Sequence, residues 1–148
     1  MQSVTDSVKA LYNYLPAVLP ERVKEVETVI IREANMALAG RNFVRLAGLS
    51  GSVAVCMAAY GAHGMSQAEE KKKRIYDIGN NFHLIHSVAL LGTPLCRRPV
   101  LVGSLMTMGT AVFCGSCYVY ALTGKDKVRF VTPYGGMMLI LAWFLMVL

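Results

Sequence analysis

Charged residues are scarce in this chain. They make up only 16% of the 148 residues, whereas hydrophobic residues make up 55%. A charged share of roughly 25% is usual for a soluble domain. A domain of this size has too much surface for its volume to hide such an apolar excess in a core. The composition therefore argues against a water-soluble fold and favours lipid as the solvent.

Other absences exclude further classes of protein. The four cysteines lack disulfide-like spacing, which argues against a disulfide-stapled secreted domain. The net charge of +6 comes without a basic stripe interleaved with aromatics, so we expect no nucleic-acid partner and favour anionic lipid headgroups. No nucleophile and base stand at convincing spacing. We therefore expect no enzyme activity, no catalytic residue, no resident metal and no cofactor.

Four segments contain no Asp, Glu, Lys or Arg. They are Leu46–Ala68, Ile78–Cys96, Pro99–Gly124 and Phe130–Leu148. About 20 helical residues cross a bilayer core of about 30 Å, whereas barrel strands need only about 9–11 alternating residues. The pattern predicts an all-α membrane protein, a bundle of four transmembrane helices with spans near 46–66, 76–95, 99–122 and 130–148. The charge clusters between them, Glu69–Arg74, Arg97–Arg98 and Lys125–Arg129, are predicted to be short polar loops.

The second predicted span is the most polar. Its first half carries Asn80, Asn81, His83, His86 and Ser87, and Pro94 is expected to end its helix. Such a segment could be re-entrant or could lie in the interface. We favour a span whose polar face is shielded by the other helices.

Histidines define a candidate intramembrane polar site. His83 and His86 lie three residues apart, so a helix projects them from nearly one face. Ionisable residues inside a span indicate function by default. The candidate site comprises His63, Asn80, Asn81, His83, His86 and Ser87. Hydrogen bonding between helices is the favoured interpretation; a proton or small-ligand site is the alternative, and a metal site, which imidazole would suit, comes last.

Small residues suggest where helix backbones approach each other, because association in lipid depends on close packing. The glycines expected at helix contacts are Gly48, Gly51, Gly115, Gly135 and Gly136. Cys114 and Cys117 form a C-x-x-C pattern within an apolar run. We expect them to pack rather than to act as a redox pair, because nothing polar nearby would activate a thiol.

Residues 1–41 differ in character from the rest. Glu21–Ala39 carries Val23, Val26 and Ile30 on one helical face and most of its charges elsewhere. The pattern predicts an amphipathic helical extension, residues 1–41, before a transmembrane domain, residues 42–148. The extension could lie on the membrane, dock a partner subunit or be a cleaved targeting peptide. Its several acids and few arginines argue against the last.

Motifs in the transmembrane part resemble a known family. They are Tyr60–Gly64 (YGAHG), Asn81–Leu91 (NFHLIHSVALL), Phe113–Tyr118 (FCGSCY) and Thr132–Gly136 (TPYGG), with Trp143 beyond. In this order they resemble the transmembrane protein 256 family, domain of unknown function 423, over about residues 42–148. The resemblance implies a four-helix membrane protein with small bacterial inner-membrane relatives and animal members associated with mitochondria. It implies no established activity.

Two functional hypotheses follow. The favoured one is an accessory subunit in the mitochondrial inner membrane, packed on a larger membrane complex through its extension and small-residue helix faces. The alternative is a small transporter, or a ligand- or proton-binding bundle, that uses the intramembrane histidines.

Overall fold

The computed structural model describes residues 21–148, so the helical pattern predicted within 1–20 lies outside the described residues. Four α-helices account for most of this range: α1 Glu21–Gly64, α2 Glu70–Leu90, α3 Pro99–Thr123 and α4 Thr132–Val147. Two 3₁₀ turns, Thr93–Leu95 and Asp126–Phe130, connect α2 to α3 and α3 to α4. The all-α class predicted from the sequence is confirmed.

The chain divides into two compact units, Met1–Asn35 and Met36–Leu148. The described part of the first unit is helical. Its side chains of Val26, Val29 and Ile30 are each more than half exposed. This unit therefore presents an apolar surface of its own.

Local sequence accounts for several helix ends. α3 starts with Pro99, whose missing N–H costs nothing in the first turn, and it stops at Gly124, which adopts a left-handed φ of 69°. Pro133 lies in the first turn of α4 and so begins that helix without kinking it. α2 ends at Leu90, and Pro94 falls in the following 3₁₀ turn, as its helix-breaking character predicts.

Three segments of the described range are long and apolar enough to cross a bilayer: Val26–Gly64, Pro99–Thr123 and Asp126–Val147. α2 is not among them. The predicted loop Glu69–Arg74 is instead largely helical, since α2 begins at Glu70. α2 thus combines a charged first turn with a polar face, which lowers its overall hydropathy. Its crossing of the membrane stays a prediction.

Tyr76 anchors one end of the bundle. Its side chain is fully buried, and its hydroxyl donates a 2.7 Å hydrogen bond to the carbonyl of Met57 on α1. Gly61 of α1 makes room for the ring, because a Cβ there would lie 2.6 Å from Tyr76 Cε1. A second buried cluster forms the other end and consists of Ala47, Leu90, Met106, Leu139 and Ala142. Between these two apolar ends lies the polar face of α2.

Two glycines allow a neighbouring helix to approach closely. A Cβ on Gly135 of α4 would lie 2.5 Å from the backbone nitrogen of Phe113 on α3. A Cβ on Gly79 of α2 would lie 2.7 Å from Cys117 Cβ, also on α3. α3 is therefore the central helix, packed tightly against α2 and α4.

The other glycines expected at helix contacts are less constrained. A Cβ on Gly51 or Gly136 would make ordinary contacts, at 3.9 Å from Ser87 Cβ and 3.7 Å from the Phe113 ring. A Cβ on Gly48 or Gly115 would meet nothing within 4 Å. Within the described chain both positions face open space, so a helix contact at Gly48 or Gly115 stays a prediction.

Candidate functional site

A chain of hydrogen bonds joins three helices through His83. Ser50 Oγ of α1 lies 3.1 Å from His83 Nε2 and 2.6 Å from Ser87 Oγ, both on α2. Ser87 in turn donates to the backbone carbonyl of His83 at 2.8 Å. On the other side of the ring, His83 Nδ1 lies 3.2 Å from the hydroxyl of Tyr118 on α3. The imidazole therefore bridges α1 and α3.

Asn80 completes this chain one turn before His83. Its side chain is buried, and its Oδ1 accepts a 2.9 Å hydrogen bond from the Tyr118 hydroxyl. Tyr118 also packs against Tyr76, with ring centroids 5.1 Å apart. The phenol is thus fixed by packing on one side and by two polar partners on the other.

Counting hydrogens distinguishes two proton arrangements in this network. Its five contacts need five hydrogens, whereas the two serine hydroxyls, one phenol and a neutral imidazole supply four. A protonated His83 supplies the fifth by donating from both ring nitrogens. Turning the Asn80 amide so that its NH₂ donates to Tyr118 also supplies it, and a neutral ring then suffices. The network can therefore hold His83 in either state through a change at Asn80.

His86 is held in a different way. Its Nδ1 lies 2.7 Å from the Phe82 carbonyl, an acceptor, so Nδ1 must carry a hydrogen. Its Nε2 lies 3.2 Å from the indole N–H of Trp143 on α4, a donor, so Nε2 must be free of hydrogen. Both contacts are satisfied only by the neutral Nδ1–H tautomer. Through its contact with Trp143, His86 links α2 to α4.

A cavity of about 380 Å³ opens beside the His83 network, between α1, α2 and α3. Its polar lining includes Ser50, His83, His86 and Tyr118, and its apolar walls include Leu49, Val53, Leu90 and Ala111. No Asp, Glu, Lys or Arg lines it. Ligand sites are typically apolar concavities of roughly 300–1,000 Å³ with a few placed polar groups. The cavity has this character and lies at the lower end of the size range.

The structure brings together four of the six residues predicted for the polar site. Asn80, His83 and Ser87 share the network, and His86 lines the same cavity. Asn81 is exposed on another face of α2, and His63 is exposed near the end of α1. Within residues 21–148, no group of three His, Cys, Asp or Glu side chains is placed to hold a metal ion.

Three residues that contribute to the site were not predicted from the sequence. Ser50 and Tyr118 lie 33 and 35 positions from His83, and Trp143 lies 57 positions from His86. Ser50 looks like one more small packing residue, and Tyr118 looks like part of an interfacial aromatic belt. Only knowledge of which helices pack together would have identified these three residues.

Cys114 and Cys117 are buried free thiols within α3. Cys114 lines the cavity, whereas Cys117 is the side chain against which Gly79 packs. These contacts belong to helix packing, which is the role expected from the apolar run.

The fold and the site together define a class: a small all-helical integral membrane protein with a hydrogen-bonding cavity among its helices. Residues 57–136 match the family described as Protein of unknown function (DUF423). The chain belongs to this family, in agreement with the resemblance seen in its motifs. No solved structure gives a significant match.

Curated relatives are bacterial membrane proteins. The UPF0382 membrane protein SERP0230 of Staphylococcus epidermidis is 30% identical over 112 residues, which is 72% of this chain and 92% of the relative. The UPF0382 membrane protein SSP2132 of Staphylococcus saprophyticus is 29% identical and covers 72% and 93%. The UPF0382 membrane protein YwdK of Bacillus subtilis is 26% identical and covers 71% and 92%. They support a membrane location for this chain.

Proposed function

We propose that the protein is a ligand-binding membrane bundle whose cavity receives a small apolar molecule carrying a carbonyl or hydroxyl group. The observation that carries the proposal is the 380 Å³ cavity, whose largely apolar lining is interrupted by six polar side chains: Ser50, His83, His86, Thr107, Thr110 and Tyr118. Apolar walls favour a molecule that partitions into lipid. The few polar groups would fix its orientation, as they do in other small-molecule sites.

His83 is the group best suited to recognise the polar end of such a molecule. Its ring is only partly buried, and its two nitrogens already exchange hydrogen bonds with hydroxyls that can act as donor or acceptor. A ligand carbonyl can therefore replace one hydroxyl contact without leaving a buried donor unpaired. The absence of carboxylates from the cavity lining argues against recognition of a cation.

Binding explains the site better than catalysis does. The 3.1 Å contact between Ser50 Oγ and His83 Nε2 has the spacing of a nucleophile and its base. Ser50 lies far inside α1, however, where backbone N–H groups are occupied by helical hydrogen bonds. No backbone donor there is free to stabilise an oxyanion, which acyl transfer requires. We therefore keep the proposal that the protein is not an enzyme.

Trp143 provides a direct assay of binding. It is the only tryptophan, and its indole N–H donates to His86, which lines the cavity. The purified protein in lipid nanodiscs would be titrated with a short-chain benzoquinone, an apolar ring with two carbonyls, while Trp143 fluorescence is followed. An alkylbenzene of the same size without carbonyls is the matched probe. We expect saturable quenching by the quinone and weaker binding of the alkylbenzene in competition.

Variants test whether the signal comes from this cavity. Gly115→Leu should abolish saturable quenching, because Gly115 lines the cavity and its added side chain meets open space there. Gly48→Leu is the matched control, since Gly48 also faces open space but does not line the cavity. His83→Ala should weaken quinone binding, whereas Asn81→Ala should not. Equal binding by wild type and Gly115→Leu would refute the proposal.

A second candidate is the accessory subunit of a larger membrane complex. Gly48 and Ser52 are exposed one turn apart on α1, a small-residue face on which a partner helix could pack. Removal of residues 1–39 and the substitution Gly48→Leu would each be expected to lower the mass of the complex on native gels after mild solubilisation. Unchanged migration of both variants would reject this role. A mitochondrial inner-membrane location, implied by the resemblance, would be tested by fractionation in the same preparation.

A further inference from the structure

A second, larger cavity lies away from the histidine network, where α1 passes the connection between α2 and α3. Its volume is about 620 Å³. Three arginines line it: Arg41 and Arg45 from α1, and Arg97 from the connection. The rest of its lining is largely apolar and includes Met36, Ala37, Val44, Pro94 and Pro99. We call this cavity the arginine groove.

Within residues 36–148, no ion pair neutralises the arginines of the groove. The ion pairs of this range are Lys72 with Glu69 and Arg129 with Asp126, and both lie elsewhere. Arg41 and Arg45 stand one helical turn apart, a spacing at which like charges repel. An anion bound between them would relieve that repulsion.

The start of α3 adds to the positive electrostatic potential in the groove. α3 begins at Pro99, which lines the groove, and its first turn contains no acidic side chain and no side-chain cap. The amide ends of a helix carry a partial positive charge that favours anions. Two independent features, the guanidinium groups and this helix start, therefore favour an anionic group in the groove.

The apolar part of the groove indicates what kind of anion fits. Gly40 packs closely against Pro94, since a Cβ on Gly40 would lie 3.0 Å from Pro94 Cβ, and this contact joins α1 to the connection. A free phosphate would occupy the arginine end and leave the apolar walls uncovered. A lipid would cover both ends, and the positive charges sit at the edge of charge-free runs, where headgroups lie.

We propose that the arginine groove binds an anionic phospholipid. Its phosphate is held by Arg41, Arg45 and Arg97 with help from the start of α3, and an acyl chain lies along the apolar walls. Arginine suits this role because its planar fork matches phosphate oxygens in pairs. This site is separate from the histidine cavity, so the lipid-binding proposal does not depend on the proposed ligand function.

The test measures lipid retention by the full-length protein. Wild type and variants would be purified in mild detergent from the same membranes, and bound phospholipid would be identified by native mass spectrometry. The test variant combines Arg41→Gln, Arg45→Gln and Arg97→Gln. Its matched control combines Lys71→Gln, Lys72→Gln and Lys73→Gln, which removes the same charge from the start of α2. A further variant that combines Arg41→Lys, Arg45→Lys and Arg97→Lys retains the charge but loses the planar fork. Circular dichroism and size-exclusion profiles would confirm that each variant keeps its fold.

We expect wild type and the control with Lys71→Gln, Lys72→Gln and Lys73→Gln to retain anionic phospholipid, and the variant with all three arginines changed to glutamine to retain at least tenfold less. The arginine-to-lysine variant should give an intermediate value. Equal losses in the triple glutamine variant and its control would overturn the proposal, because they would indicate general surface attraction. Addition of inorganic phosphate to delipidated protein provides a second arm. Thermal stabilisation by phosphate equal to that by an anionic phospholipid would also overturn it, since the apolar walls would then play no part.

Discussion

Gly135→Ala gives the sharpest test of the packing between α3 and α4. The added Cβ would lie 2.5 Å from the backbone nitrogen of Phe113 and 2.9 Å from its Cα. These are backbone atoms, so no side-chain rotation can relieve the clash. Non-bonded heavy atoms prefer about 3.5–4.0 Å, so the helices must separate by about 1 Å. Overpacking of this kind typically costs about 1–3 kcal/mol.

A matched glycine isolates that cost. Gly115→Ala lies inside α3, gains helix propensity of about 1 kcal/mol and meets nothing within 4 Å. The difference between the two variants therefore reports mainly the steric term. We expect Gly135→Ala to be less stable than Gly115→Ala by about 1–3 kcal/mol, roughly a 5- to 150-fold change in the unfolding equilibrium. Unfolding by increasing SDS fraction in mixed micelles, followed by circular dichroism, would measure it. If Gly135→Ala proved as stable as Gly115→Ala, the close backbone approach would be refuted.

Three further predictions follow from named contacts. Tyr76→Phe should lower the free energy of unfolding by about 1 kcal/mol in the same titration, because the Met57 carbonyl loses its donor while the ring packing is kept. An unchanged free energy of unfolding would contradict this hydrogen bond. A double-mutant cycle of His83→Ala and Tyr118→Phe should give a coupling energy of about 0.6 kcal/mol, the average for hydrogen bonds between helices in lipid, and strict additivity would argue against the bond. Burial raises the pKa of the Cys96 thiol, so at pH 8 its thiolate fraction is smaller than that of a free thiol. In a variant with the other three cysteines changed to serine, a maleimide should alkylate Cys96 more slowly than it alkylates a small thiol. The alkylation rate of Cys96 should keep rising with pH after the rate of the small thiol has levelled off. Equal rates at pH 8 would contradict this burial.

The sequence was most informative about the solvent that surrounds the helices. Runs without charge indicated lipid, because an ionised side chain at the centre of a bilayer is costly. Such a cost acts on each residue by itself, so it can be read without knowing any partner. For the same reason Pro94 indicated that the second predicted helix ends before it, since proline acts on its own backbone.

The polar face of α2 was also visible in the sequence, because helical periodicity places Asn80, His83 and Ser87 side by side. The periodicity of one helix, however, carries no information about which helix faces it. His83 was therefore recognised as a candidate, whereas its partners Ser50 and Tyr118 were not.

Tertiary structure decided everything that depends on the distance between helices. Gly135 and Gly115 look alike in the sequence, yet one touches the backbone of Phe113 and the other faces a cavity. Composition and the length of the charge-free runs were enough to predict that this chain is helical and lies in a membrane. Which side chains meet, and where a cavity stays open between them, was fixed only by the packing of α1, α2, α3 and α4, because those contacts join residues far apart in the chain.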